Sequence, residues 1–102
     1  MQHVSDQMLA DVINVLPNVF DTHAVEQRVL RNQPVAAARE ILEHQHNGDV
    51  LRQFSATFSK RIAAAFPGQI EKVSKVVSPN LGGRESDNQQ WRRVVAGVLP
   101  AR

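Results

Sequence analysis

NGDVLRQFSATFSKRIAAAFPG, residues 47–68, is the stretch on which the fold turns. Placed at about 100° per residue, as an α-helix requires, Val50, Leu51, Phe54, Phe58, Ile62 and Ala65 fall on one side. Arg52, Gln53, Ala56, Ser59, Lys60 and Ala63 fall opposite them. Asn47-Gly48 has the composition of a hairpin turn, but both flanks carry helical spacing. Gly48 is therefore expected to end one helix in the left-handed conformation, and Asp49 to cap the next. That next helix should run from Val50 to about Phe66, where Pro67-Gly68 closes it. Arg61 breaks the pattern by falling inside the apolar stripe, and is expected to snorkel past the helix end.

Downstream of Gly68 the vocabulary changes. Ile70 to Val77 is rich in Val and mixes in Lys and Ser in rough alternation, as a half-buried strand would. Gln89 to Val95 (QQWRRVV) reads as a second strand, and the polar run 78–88 between them as a loop. That loop is too short for a crossover helix, so the pair should be antiparallel.

Upstream, helical spacing dominates. Pro34 suits a first helical turn, where its missing N–H costs nothing; a helix to about Asn47 would bury Val35, Ala38, Ile41 and Leu42. Asp21 and Thr22 are the capping pair of a helix to about Asn32, with Val25, Val29 and Leu30 as its buried face. Val4, Met8, Leu9, Val12, Ile13 and Leu16 make the stripe of an amino-terminal helix capped by Ser5 or Asp6 and stopped by Pro17.

With 102 residues the chain has room for one hydrophobic core, feasible without metal or disulfide staples. The absence of Cys excludes disulfides, thiolate zinc sites and thiol nucleophiles. No run approaches the ~18 apolar residues of a membrane span, and the opening residues lack the pattern of a signal peptide. A soluble cytoplasmic domain is expected. Charge is unevenly spread. Residues 1–51 hold three cations and seven anions, residues 52–102 nine and three, so −4 and +6 combine to the net +2. A basic half beside an acidic one hints at a polyanion-binding face, or at two copies packed acidic half to basic half.

Converging reactive groups are few. Gly82-Gly83 lacks the Lys and the following helix of a phosphate loop, and no Ser sits in a nucleophile-elbow pattern. His44 and His46, two apart on a helix, point in different directions. Glu43 and His46 do share a face, but a di-iron bundle needs two such pairs. Neither a cofactor, a metal nor catalysis is expected.

Binding has more support. The outward face of helix 50–66 combines cations, a two-headed amide and small residues, and no acid follows Asp49 in it. Arg and Lys suit guanine edges and phosphates, and Gln can pair bidentately with adenine. A solvated helix face is the plain alternative, although such faces usually mix in Glu. Lys72, Lys75, Arg84, Arg92 and Arg93 add five cations on or beside the hairpin. They suit a phosphate backbone, or the guarding of a sheet edge. Trp91, the only Trp in a chain without Tyr, reads as a core anchor, which disfavours single-strand binding by base stacking.

Helices, then helix–Gly48–helix, then a basic two-stranded hairpin: this order resembles the winged-helix family of DNA-binding domains. In that family the second helix of the helix-turn-helix enters the major groove and the hairpin, or wing, flanks it. By the resemblance, Arg52, Gln53, Ala56, Ser59 and Lys60 look like the outward face of the recognition helix. Lys72, Lys75, Arg84 and Arg92 look like wing positions. SPNLGGRESDNQQWRRV, residues 78–94, also looks like the wing ends of small uncharacterised bacterial proteins.

The expected fold is thus α+β, a single mostly helical winged-helix-like domain of four helices and a two-stranded antiparallel hairpin. Residues 1–17 would form the amino-terminal helix, 20–95 the core and 96–102 a tail. The amino-terminal helix is expected to pack on the domain or to pair with its copy through Met8, Leu9, Val12 and Val15. The expected function is duplex DNA binding without catalysis, as a transcriptional regulator or accessory factor. The alternative is a protein-interaction module whose basic face meets an acidic partner.

Overall fold

The computed structural model describes residues 2–94 and 97–100. Within them the chain runs α1 (Asp6–Val15), β1 (Val19–Asp21), α2 (Thr22–Asn32), α3 (Pro34–Leu42), α4 (Val50–Ala65), β2 (Ile70–Pro79) and β3 (Glu85–Arg93). The class among the described residues is α+β, with four helices and a three-stranded antiparallel sheet in the order β1-β3-β2. Strand β1 was not expected. It pairs Phe20 with Trp91, laying two buried aromatic side chains side by side. Val95 and the tail residues Ala96, Ala101 and Arg102 lie outside the described residues.

Each expected amino-terminal cap is made. The Ser5 hydroxyl accepts from the Met8 amide, the Asp21 carboxylate from Ala24 and the Asp49 carboxylate from Arg52. These bonds satisfy amides that the first turn of a helix leaves without carbonyl partners. The end of α3 differs from expectation, at Leu42 instead of about Asn47. Residues 43–47 continue as tight turns in which His44, Gln45 and Asn47 amides bond carbonyls three residues back. Gly48 does not adopt a positive φ; the left-handed glycine stands instead after α4, at Gly68 with φ 77°.

Polar composition masked the real length of the hairpin. The expected loop 78–88 shrinks to residues 80–84, because one face of these strand ends is exposed and the other meets α2 through polar side chains, so neither needs apolar residues. The Asn80 side chain organises the short loop, its Oδ1 accepting from the Gly82 and Arg84 amides at 2.8 and 3.1 Å. Between Lys72 and Lys75 the register slips: these residues face Trp91 and Gln89, so four residues of β2 span three of β3. This is a β-bulge.

The core gathers Leu9, Val12 and Ile13 of α1, Val25 and Val29 of α2, Phe54, Phe58 and Ile62 of α4, and Phe20, Phe66 and Trp91. Phe54 and Phe58, one turn apart, pack with ring centroids 4.6 Å apart. With Leu9 and Val12 fully inside, α1 packs on the domain. Of the four residues proposed for self-pairing, only Val15 is exposed and Met8 half-buried. The tail is tied down too, since Leu99 is buried and its backbone exchanges hydrogen bonds with the Asn14 side chain. Arg61 does not snorkel; its guanidinium holds Asp6 at 2.6 Å, joining the end of α4 to the start of α1.

The largest departure is the rotation of α3. Val35 is 63% exposed and Leu42 57%, Ala38 is exposed, and on α2 Leu30 faces solvent as well. The buried residues of α3 are Ala37 and Glu40, with Ala36 and Ile41 half-buried against the core. Glu40 explains this choice. Its carboxylate accepts from the backbone amides of His3 and Val4, which precede α1 and have no helical partner. Two amide donors replace water that burial takes from the carboxyl group.

Candidate nucleic-acid interface

Helix α2 positions everything else. Thr22 bonds Ser59 and, one turn on, Glu26 bonds Ser55, so α2 and α4 run antiparallel with hydroxyl-bearing residues at the seam. The Trp91 indole donates to Thr22 Oγ1 at 2.9 Å, which brings β3 to the same point. The other side of the α2 start grips the hairpin. The His23 amide donates to Asn88 Oδ1, and His23 Nδ1 lies 3.0 Å from both the carbonyl and the hydroxyl oxygen of Ser78. Gln27 adds a bond to the Pro79 carbonyl. The hairpin and α4 are thereby fixed relative to one another through a shared neighbour.

Between α4 and the hairpin lie two adjoining hollows of about 400 and 690 Å³. Ser59, Lys60 and Lys75 line both. The smaller adds Lys72, Ala63 and Trp91, the larger Arg52, Ala56, Asn88 and Ser86. The hairpin tip reaches the start of α4, where a Cβ on Gly82 would come within 3.1 Å of the Leu51 side chain. Lys72 and Lys75 share this groove because of the bulge. On a regular strand residues three apart point to opposite faces, but the extra residue brings both to the α4 side.

Of the expected site residues, Arg52, Ala56, Ser59, Lys60, Lys72 and Lys75 meet along this groove. Gln53 on α4 and Arg84 in the hairpin loop are exposed but line neither hollow. Ser59 is half-buried, its hydroxyl taken up by Thr22. Arg92 is a correction. It sits beside Trp91 on β3 and so points to the opposite face, where it pairs with Glu71. Arg93 likewise bonds the Asn18 side chain. Arg52, Lys60, Lys72, Lys75 and Arg84 have no ion-pair partner among the described residues. Asp49, engaged as a cap, and Asp87 are the acids on the groove wall.

Residue type alone gave no sign of His23, Asn88 or Gln89. Gln89 bonds the Ser74 carbonyl inside the bulge, a contact that only the register reveals. Beneath the groove, Glu26 is 1% exposed, with the Ser55 hydroxyl 2.8 and 2.9 Å from its two carboxyl oxygens. Burial pushes this carboxyl up to about 8; the Ser55 bond opposes that rise and the Asp21 charge adds to it. At neutral pH the neutral acid predominates. No cluster of three or more His, Asp or Glu able to hold a metal ion occurs among the described residues, nor any helix long and apolar enough to cross a membrane. No family model matches the chain, and neither does any curated protein or solved structure.

Proposed function

We propose that the chain is a winged-helix-type domain that binds duplex DNA without catalysis, with α4 entering the major groove and the hairpin following the phosphate backbone. One observation carries the reading: five cations without ion-pair partners among the described residues lie along or beside the groove between α4 and the hairpin. Lys60, Lys72 and Lys75 suit phosphate oxygens there. Arg52 and Gln53, exposed near the start of α4, suit base edges. Duplex is favoured over single strands because Trp91 is buried and the chain has no Tyr to offer as a stacking platform. A transcriptional regulator or accessory factor is the role that fits such a domain.

The test is a fluorescence-anisotropy titration of random duplex DNA at several salt concentrations. With four or five phosphate contacts, log K falls against log salt with a slope near about −4, a few hundredfold between roughly 50 and 200 mM. Lys72→Ala with Lys75→Ala weakens binding to all sequences alike. Arg52→Ala or Gln53→Ala relaxes sequence preference by about 1–3 kcal/mol per lost base contact. No binding at the lowest salt would end this reading.

A further inference from the structure

Helix α3 presents two apolar faces, and the fold uses one. At about 100° per residue, Val35, Ala38, Arg39 and Leu42 occupy a single arc, opposite the buried Ala37 and Glu40. The exposed arc has the i, i+3, i+7 spacing by which a helix receives another helix, with small Ala38 at its centre allowing close approach. Unlike apolar residues scattered singly, those of α3 are aligned on one helix face, the arrangement that a second helix can cover.

Charge identifies that occupant. Arg39 lies on the arc, and Arg31 in the last turn of α2 precedes it; both are exposed and neither has an ion-pair partner among the described residues. The acids of α3 are committed elsewhere, Glu40 to the amides before α1 and Glu43, just past the helix end, to the His3 ring. Among the described residues, the charges without ion-pair partners on this arc and just before it in the chain are therefore cationic. A second copy fits poorly, because antiparallel pairing of α3 with itself about Ala38 sets Arg39 against Arg39. We infer that the Val35–Ala38–Leu42 arc docks an amphipathic helix of another protein whose apolar stripe is flanked by Asp or Glu. The arc shares no residue with the groove, and the inference stands apart from the DNA reading.

The test uses the full chain, isotope-labelled, and a helical peptide of about 18 residues with Leu at i, i+3, i+4 and i+7 and Glu on both flanks. A twin with Lys in place of Glu is the control. The expected result is amide shifts confined to about residues 30–43, for the Glu peptide only. Leu42→Ser weakens that binding by roughly tenfold to a hundredfold, the scale of one buried Leu, with circular dichroism unchanged because the residue is exposed. The double change Arg31→Glu and Arg39→Glu transfers preference to the Lys peptide. Several results would overturn the inference: shifts at Lys60 and Lys75 instead of α3, equal binding of both peptides, or binding of neither. Self-association abolished by Leu42→Ser would assign the arc to a second copy. Binding to phosphatidylserine vesicles abolished by the same change would assign it to a membrane surface.

Discussion

Asp21, Glu26, Glu40 and Asp49 in the first half of the chain each meet a backbone amide or a hydroxyl within the fold. Arg52, Lys60, Lys72 and Lys75 in the second half meet no carboxylate among the described residues. By sequence the two halves look like matched opposites, −4 and +6. In three dimensions they are not equivalent. Those four acids are architectural, as caps and buried acceptors, while those four bases are left on the surface. An acidic segment in a sequence is thus no guide to an acidic patch, since carboxylates are acceptors that helix starts recruit. The exposed arginines of α2 and α3 make the point from the other side: the acidic half shows its cations.

On that contrast, changing these four acids alters stability and changing these four bases does not. The largest effect belongs to Glu26. Its carboxyl rises from 4.5 in the unfolded chain to about 8 in the fold, so the folded state holds its proton more tightly. Stability contributed by the neutral acid is fully present below pH 4.5 and is lost as pH climbs through 8. Urea titrations across that window should show a decline of a few kcal/mol. Glu26→Gln should flatten it. A wild-type curve level from pH 5 to 8 would mean that Glu26 is solvated. Next comes Glu40→Ala, which strands the His3 and Val4 amides and costs about 2–3 kcal/mol, read as a lowered denaturation midpoint. Asp21→Ala removes the α2 cap for about 1 kcal/mol. Smallest is Lys72→Ala with Lys75→Ala, within about 0.5 kcal/mol. A drop above 2 kcal/mol there would show the lysines to be structural and break the contrast.

Three of the four helices were legible because spacing and caps agree: Ser5, Asp21 and Asp49 each stand just ahead of a periodic run. In helix α3 the spacing of apolar residues points the wrong face inward. Hydrophobic periodicity ranks Val35 and Leu42 above Glu40, and only the position of the His3 and Val4 amides, distant in sequence, reverses the order. Strand β1 has three residues, too few to display a period. In the candidate site the α4 face was legible from the wheel, whereas Arg92 was misplaced because strand facing depends on the register against Trp91. The pairing of Glu26 with Ser55, and the grip of His23 on Ser78 and Asn88, join residues far apart in the chain and leave no local trace.

The bulge carries a consequence in arithmetic. A chain lacking Ser74 would keep its net charge and every basic side chain. With one residue fewer, however, the parity of β2 would reverse at one end, and Lys72 and Lys75 would part to opposite faces. The groove would lose a cation with none deleted. What the hairpin presents to a ligand is set by a count of residues as much as by their kind, so a neutral deletion there acts as a charge mutation.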